Sequence, residues 1–210
     1  EAGDEVLVPG PTYPPYISYV KFFGGTSVSY KTSEEDNWQP DINDLERKIT
    51  ARTRAIVVIN PNNPCGALYH EKSVKKIADL ACERNLLLIS DEIYDRIVFK
   101  RGFVSAARLA RDAPVVGMNG FSKTYLMTGW RLGYMYFHDP NGELTQLKEC
   151  VEKETRVRLS ANTPVQKAGV AALKGSQHHI AEMVTKLRAR RDYAWKRLNE
   201  VEGISCRKPE

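Results

Sequence analysis

The sequence has no long hydrophobic run and only four cysteines, and both scarcities exclude classes of protein. Its longest apolar stretches, such as residues 86–89, are far too short to cross a membrane. The cysteines are widely separated and form no Cys-x-x-Cys pair; they are Cys65, Cys82, Cys150 and Cys206. A disulfide scaffold and a zinc site are therefore not expected, and a reducing cytoplasm is the expected compartment.

A strong excess of charge of one sign is also absent. The 31 Lys and Arg residues face 26 Asp and Glu residues, which leaves a net charge of +5. The most basic segment lies near the end of the sequence and comprises Lys186, Arg188, Arg190 and Arg191. On a helix these positions spread around the surface, which is typical of a solvated face rather than of a nucleic-acid contact. His178 and His179 are adjacent and cannot share a helical face, so no metal site is expected.

Two frequent catalytic signatures are missing as well. There is no Gly-x-Ser-x-Gly segment, which argues against a serine hydrolase, and no Gly-x-Gly-x-x-Gly turn, which argues against a nicotinamide enzyme. The sequence also contains no internal repeat and no low-complexity linker, whereas 42% of its residues are hydrophobic. That content is enough for a substantial core in a globular domain.

What is present is an alternation of strand-like and helix-like segments. Residues 55–59 are continuously apolar and mostly β-branched, as expected of a parallel strand covered on both faces, and residues 86–90 form a second such strand. Between them, apolar residues recur at helical spacing up to Asn85, a predicted left-handed cap. Further strands are predicted at residues 6–8, 115–118, 132–137 and 204–206, and further helices after Asp41, from Glu143 onward and around Ile180.

This alternation predicts an α/β fold with a mostly parallel sheet that leads into a second unit. Both ends of the sequence resemble the interior of a domain, because strands are predicted within the first and the last ten residues. We therefore expect a fragment that is incomplete at both ends. Residues 1–175 are expected to form part of a large domain, and residues 176–210 a helix that leads into a truncated C-terminal domain.

The predicted sheet also predicts where a ligand binds. In open sheets of parallel strands, ligands lie outside the carboxyl ends of the strands. Four segments are expected to meet there: residues 11–16, the turn after Ile59, the turn at Asp91 and the turn at Lys123.

Three motifs at these strand ends follow one another in a recognisable order. Residues 61–66 read Pro-Asn-Asn-Pro-Cys-Gly, residues 91–94 read Asp-Glu-Ile-Tyr, and residues 120–133 join a Ser-Lys pair to a Gly-Trp-Arg-Leu-Gly segment. Together they resemble the motifs of fold-type I pyridoxal-phosphate enzymes, in particular class I and II aminotransferases. The Tyr-Pro-Pro-Tyr segment at residues 13–16 is most similar to the alanine and aspartate aminotransferase branch. The resemblance covers essentially the whole sequence.

The resemblance implies a three-layer α/β/α large domain with a mixed sheet, in which residues 132–137 are expected to form the antiparallel strand. It implies pyridoxal 5'-phosphate as the cofactor and a homodimer with its site at the subunit interface. The implied reaction is reversible transfer of an amino group between an L-amino acid, with alanine or aspartate favoured, and a 2-oxo acid.

The resemblance also implies roles for individual residues, of which Lys123, Asp91 and Tyr94 are the expected catalytic set. Lys123 would form the Schiff base with the cofactor aldehyde and move the substrate α-proton, because an amine acts as nucleophile and as base. Asp91 would keep the pyridine nitrogen protonated, whereas Glu92 would point to the other side of the strand. Tyr94 and Asn63 would hydrogen-bond the phenolic oxygen, and the peptide bond after Asn63 is a candidate for the cis form.

The remaining expected contacts involve the phosphate and the face of the ring. Ser122 and Arg131 would bind the phosphate, since a hydroxyl and a bidentate guanidinium suit a dianion. Tyr13 would stack on the pyridine ring, whereas Tyr16 is interpreted as structural. The sequence departs from the family at Gly120, where many relatives carry a second hydroxyl.

Several groups of the family's site are expected outside these 210 residues. They are a phosphate-cradling segment and a partner-subunit tyrosine before Glu1, and an arginine for the substrate α-carboxylate after Glu210. The isolated chain is therefore expected to bind the cofactor weakly and to show no turnover. Three alternatives remain open: a carbon–sulfur lyase, an aminocyclopropane-carboxylate-type synthase of the same fold, and a catalytically inactive aminotransferase-like domain.

Overall fold

The computed structural model describes residues 1–100, 102–158 and 161–210 and shows helices around one seven-stranded sheet. The strands are β1 (Glu5–Gly10), β2 (Thr26–Ser33), β3 (Gln39–Pro40), β4 (Thr53–Ile59), β5 (Leu87–Asp91), β6 (Val115–Gly120) and β7 (Gly133–His138). The helices are α1 (Pro15–Phe22), α2 (Ile42–Arg47), α3 (Glu71–Glu83), α4 (Ala106–Leu109), α5 (Thr145–Arg158), α6 (Thr163–Lys174) and α7 (His178–Asn199), and a 3₁₀ turn spans Thr128–Trp130.

The sheet is mixed and mostly parallel, which confirms the predicted fold class. Its strand order is β3-β2-β1-β4-β5-β6-β7. Strands β2, β1, β4, β5 and β6 run parallel to one another, whereas β3 and β7 are antiparallel to their neighbours. The expectation that residues 132–137 form an antiparallel strand is therefore confirmed, with the strand shifted by one residue.

The core divides between the two faces of the sheet because side chains alternate along each strand. On one face, Ile56, Val58 and Leu88 belong to the larger apolar cluster, which α2, α3 and α4 cover. On the other face, Val57 and Ile59 belong to a smaller cluster on which part of α1 packs. Burial of one such side chain contributes about 1.5–3 kcal/mol to folding.

Local signals set the helix ends as predicted. The Asp41 carboxylate accepts a hydrogen bond from the backbone N–H of Asp44 at 3.0 Å and caps α2. Helix α3 is followed by Asn85, which adopts a left-handed conformation with a φ of 52°. An asparagine tolerates that conformation better than most residues, and it lets the chain turn directly into β5.

The predicted and observed strands differ in two places. Residues 204–206 form no strand. The N–H of Ile204 donates to the carbonyl of Val201 in a local turn, and the N–H of Cys206 donates to Oδ1 of Asn199 in α7, each at 3.2 Å. Conversely, β2 was not predicted from the sequence. It is polar at alternate positions and has a buried face at Tyr30 and Thr32.

The parallel strands end at one edge of the sheet, and this edge positions the candidate site. Strands β1, β4, β5 and β6 end there at Gly10, Ile59, Asp91 and Gly120. Within the part of the chain that the structure describes, no helix has both the length and the apolar character needed to span a membrane.

Candidate active site

A cavity of about 320 Å³ lies at the carboxyl edge of the sheet. All seven predicted site residues line it: Tyr13, Asn63, Asp91, Tyr94, Ser122, Lys123 and Arg131. These residues come from four separate loops, as the parallel topology requires. Larger and more open clefts lie between β2 and the last residues, beside β7 and along α7. The cleft beside β7 shares Arg131 with the cavity, but none of these three contains Lys123 or Asp91.

Asp91 is the last residue of β5 and is held at both carboxylate oxygens. Its backbone lies between Ile59 of β4 and Met118 of β6 in the strand register. Oδ1 accepts a hydrogen bond from the backbone N–H of Ile93 at 3.2 Å, and Oδ2 accepts one from the hydroxyl of Tyr16 at 2.7 Å. Both bonds fix the orientation of a half-buried carboxylate at the cavity wall.

Glu92 points away from the cavity, as the alternation along the chain predicts. It is buried, and its Oε1 accepts hydrogen bonds from the hydroxyls of Ser90 and Ser105, each at 2.9 Å. Its Oε2 accepts one from the hydroxyl of Tyr136 at 2.8 Å. These partners satisfy the carboxylate on the far side of the sheet, so Asp91 alone of this pair faces the cavity.

Lys123 lies in the tight loop that follows β6. Backbone bonds from Tyr125 and Met127 to the carbonyl of Phe121, each at 3.2 Å, shape this loop. The Nζ atom lies 5.6 Å from the centroid of the Tyr94 ring, and within the described ranges it has no hydrogen bond and no ion pair. The cavity therefore contains an amine that the protein leaves available for a ligand.

The turn after β4 carries three asparagines, of which two bond to the protein backbone and the third, Asn63, faces the cavity. The side chain of Asn60 accepts from the N–H of Tyr69 at 2.8 Å, and that of Asn62 accepts from the N–H of Cys65 at 3.2 Å. The amide of Asn63 has no such partner among the residues described, and it lines the cavity. The peptide bond after Asn63 is cis, as expected. Burial raises the pKa of the Cys65 thiol to about 11, so this neighbouring thiol is no nucleophile at neutral pH.

Ser122 and Arg131 enter the cavity from either end of the lysine loop. Arg131 follows the 3₁₀ turn with a φ of 54°, and its Nη1 donates to the carbonyl of Thr128 at 2.8 Å. Most of its guanidinium remains available because the side chain is exposed. At Gly120, a Cβ atom would lie 3.1 Å from the carbonyl oxygen of Leu132, a tight contact that a larger residue would need a small backbone shift to relieve.

Tyr16 was predicted to be structural, but the structure places it in the site. It lines the cavity, donates to Asp91 and contacts the ring of Tyr13, with the two centroids 6.3 Å apart and the planes at 71°. Burial, followed by the nearby Asp91 charge, raises the pKa of Tyr16 well above its ordinary range, so its hydroxyl remains a donor. Its position in the loop expected at the carboxyl edge was the only sequence signal for this role.

The fold and the cavity define a class of protein, an α/β domain with a candidate ligand site at the carboxyl edge of its sheet. In that site the Lys123 amine, unpaired among the described residues, lies together with the oriented carboxylate of Asp91. A model of the family described as aminotransferase class I and II matches residues 1–210, and the chain belongs to this family.

Named relatives agree with this assignment. The chain is 43% identical to an alanine aminotransferase of Mycobacterium tuberculosis, over 99% of the chain and 49% of that protein. It is 41% identical to the glutamate-pyruvate aminotransferase AlaA of Escherichia coli, over 99% of the chain and 52% of that protein. The solved structure of an alanine aminotransferase from Pyrococcus furiosus matches with a TM-score of 0.98 and 52% identity, over 100% of the chain and 53% of that structure. The chain thus spans about half the length of the relatives it matches.

Proposed function

We propose that the protein to which this chain belongs is a pyridoxal-phosphate-dependent aminotransferase. It moves the amino group of an L-amino acid to a 2-oxo acid. The observation that carries the proposal is the single cavity that brings Lys123 and Asp91 together with five further residues of the expected cofactor set. Membership of the aminotransferase class I and II family supports the same reaction.

The side chains of the cavity fit the reactive half of the cofactor. Asp91 offers a carboxylate, which suits a protonated pyridine nitrogen. Lys123 offers an amine that has no hydrogen-bond or ion-pair partner among the described residues, which suits an aldehyde carbon. Asn63 and Tyr94 offer neutral donors for the phenolic oxygen, and neither side chain is hydrogen-bonded to another described residue. Among the described residues, the donors of Asn63 and Tyr94 are thus unused and complementary to the ring.

The other three residues fit the phosphate and the ring face. Ser122 and Arg131 offer a hydroxyl and a guanidinium, which together suit a phosphate dianion. Tyr13 is 43% exposed and offers an aromatic face at the mouth of the cavity. A phosphate held by these two groups alone is weakly anchored, because Gly120 adds no hydroxyl and the cavity is open.

Each chain residue then has a defined task. When bound, the cofactor supplies an electron sink that makes the substrate α-hydrogen acidic. With the cofactor bound, the Lys123 Nζ atom would take that proton, since an amine can serve as a general base. The Asp91 carboxylate would face the ring nitrogen, and the Tyr94 hydroxyl would donate to the phenolic oxygen. Ser122, Arg131 and Tyr13 hold the ligand in place while the proton moves.

The amino donor that the relatives favour is alanine. The curated relatives cited above are named as alanine and glutamate-pyruvate aminotransferases, and aspartate remains the second donor in this proposal. Neither lyase nor synthase names occur among those relatives, so transamination is favoured over the alternatives that the motifs left open. An inactive domain is disfavoured because the expected catalytic set of Lys123, Asp91 and Tyr94 is present in one cavity.

We further propose that the intact protein is a cytoplasmic homodimer. Its four free cysteines are compatible with a reducing compartment. Helix α1 and the residue after it expose Tyr19, Phe22 and Phe23 to 66%, 78% and 76%. An apolar surface of this kind is typical of a subunit contact. Sedimentation velocity of the intact protein tests the dimer, and a monomer at micromolar concentration would contradict it.

We also propose a domain division near residue 175. Helix α7 begins at His178 and buries only Ile180 among its 22 residues. Because residues 1–175 cover so little of α7, this helix is suited to connect them to a second unit. Limited proteolysis of the intact protein tests the division, with cleavage expected around residues 175–178.

The cofactor assignment is tested on the purified intact protein with added pyridoxal 5'-phosphate. We expect a visible absorbance band, reduction of the bound cofactor onto Lys123 by borohydride, and loss of the band in Lys123→Ala. Lys76→Ala is the matched control, because Lys76 is exposed on α3 away from the cavity. Retention of the band in Lys123→Ala would refute the assignment.

The reaction is tested separately with alanine or aspartate and 2-oxoglutarate. Pyruvate or oxaloacetate is expected in amounts equal to the glutamate formed, with the Lys123→Ala variant at least about 10³-fold slower, as for removal of a catalytic nucleophile or base. Release of ammonia and sulfide from cysteine without glutamate formation would instead support a lyase.

A further inference from the structure

The hydroxyl of Tyr16 contacts a residue of the proposed catalytic set without belonging to that set. It donates to Oδ2 of Asp91 at 2.7 Å, across 75 positions of the sequence. From the residues that the structure describes, the other carboxylate oxygen, Oδ1, accepts one longer bond, from the N–H of Ile93 at 3.2 Å. The tyrosine therefore supplies the shorter of the two bonds that fix the rotation of the Asp91 carboxylate.

The ring of Tyr16 is itself held firmly. It packs on the apolar cluster formed by Val8, Val57 and Ile59 on one face of the sheet. Its backbone N–H donates to the carbonyl of Tyr13 at 3.1 Å, at the start of α1. A donor fixed by core packing transmits a defined direction to its acceptor, whereas a mobile surface hydroxyl does not.

Tyr16 also contacts the second residue proposed to face the cofactor ring. Its ring meets that of Tyr13 edge to face, with centroids 6.3 Å apart. Such a contact stabilises a particular orientation of both rings. One side chain thus supports both the carboxylate assigned to the ring nitrogen and the aromatic group assigned to the ring face.

We propose that Tyr16 is a positioning residue: its hydroxyl orients the Asp91 carboxylate, and its ring orients Tyr13, toward the bound cofactor. The inference rests on the proposed function, because it needs Asp91 to meet the cofactor ring. A role in core packing requires only the aromatic ring, which phenylalanine also provides. The hydroxyl is therefore the part of Tyr16 that a packing role leaves unexplained.

The inference is tested in the intact protein by a double-mutant cycle on Tyr16 and Asp91. Tyr16→Phe is expected to raise the Kd for pyridoxal 5'-phosphate about tenfold, as expected for a lost hydrogen bond to a charged group. It is also expected to change the visible circular dichroism per bound cofactor, which reports the orientation of the ring. In the Asp91→Ala background the same change is expected to alter the Kd less than about twofold, because the acceptor is gone.

Tyr193→Phe is the matched control. Tyr193 lies on α7, is 70% exposed, and makes no hydroxyl hydrogen bond to any residue the structure describes. It is expected to leave the Kd and the visible spectrum unchanged. Far-ultraviolet circular dichroism and thermal melting of each variant establish that it is folded before its Kd is compared.

The outcomes separate this inference from the proposed function. A wild-type protein without a Lys123-dependent cofactor band would overturn both. A normal wild-type band together with a Tyr16→Phe variant that behaves like Tyr193→Phe would overturn only the positioning role. So would a Tyr16→Phe effect that persists fully in the Asp91→Ala background.

Discussion

At the scale of single residues, two adjacent carboxylates serve opposite sides of one sheet. Asp91 lines the cavity, and Glu92 lies buried behind it with hydrogen bonds to both of its oxygens. The alternation along β5 carries over to Glu92, the residue after the strand, whose backbone N–H still donates to the carbonyl of Met118 of β6 at 2.8 Å. The same dipeptide can therefore provide one charge for a ligand and one for the stability of the fold.

The buried carboxylate leads to a prediction about stability. Replacing Glu92 by glutamine removes the charge that three hydroxyls and the N–H of Ala106 now bond, and places an amide donor among donors. We expect Glu92→Gln to lower the free energy of unfolding of the intact protein by about 1–3 kcal/mol in urea denaturation. Glu83→Gln, on the exposed end of α3, is the control and is expected to change it by less than about 0.5 kcal/mol. Equal stability of the two variants would contradict this account.

At the scale of elements, the strands with continuous apolar character were predictable and the polar one was not. Residues 55–59 and 86–90 are covered on both faces, so their composition alone indicated strands. Strand β2 alternates serine and threonine with only Val28 and Tyr30 as apolar residues, and its identity depends on pairing with β1. Residues 204–206 have strand-like composition but no partner strand, which composition cannot reveal.

The contact of α6 with the lysine loop leads to a prediction at this scale. A Cβ atom at Gly169 would lie 2.5 Å from Cδ2 of Leu132 and 3.2 Å from Cζ of Phe121. Phe121 begins the loop that carries Lys123, so a larger residue in α6 would displace that loop. We expect Gly169→Val to lower the free energy of unfolding by about 1–3 kcal/mol and to weaken cofactor binding.

The matched control for this change lies on the same helix. Ala171→Val introduces the same branched side chain at an exposed position of α6, where no clash is expected. Helix propensity falls in Ala171→Val and rises in Gly169→Val, so a larger loss of stability in Gly169→Val reports the clash. Urea unfolding and cofactor titration of both variants of the intact protein distinguish the two effects. If the free energy of unfolding of Gly169→Val were no lower than that of Ala171→Val, α6 would have to accommodate the larger side chain without displacing the loop.

At the scale of the whole molecule, the order of motifs predicted which residues meet, and only the tertiary structure revealed how they are held. The seven predicted residues meet because parallel strands bring their carboxyl ends to one edge. The bond between Tyr16 and Asp91 joins residues 75 positions apart, and no local pattern encodes it. The residues of the candidate site were thus predictable from residue types and motif order. The contacts that hold those residues in place depend on tertiary packing and were not predictable.

The last residues of the chain return to the turn that carries Asn63, and this long-range contact gives the final prediction. The backbone N–H of Glu210 donates to the carbonyl of Gly66 at 2.8 Å. Arg191 of α7 secures this arrangement: it is only 10% exposed, donates to the carbonyl of Pro209 at 2.8 Å, and lies 4.4 Å from the centroid of the Phe99 ring. A buried arginine with these contacts stabilises the segment by about 1–2 kcal/mol.

Removing that arginine is expected to loosen the turn beside the cavity without unfolding the sheet. In the intact protein, Arg191→Ala should speed hydrogen exchange at the amide of residue 210 by roughly 5- to 30-fold, because exchange there requires the segment to open. Exchange in β4 and β5 should stay unchanged. Arg188→Ala, at an exposed position of the same helix, is the control and should leave both regions as in the wild type. Unaltered exchange at residue 210 in Arg191→Ala would mean that backbone bonding alone holds the segment to the turn.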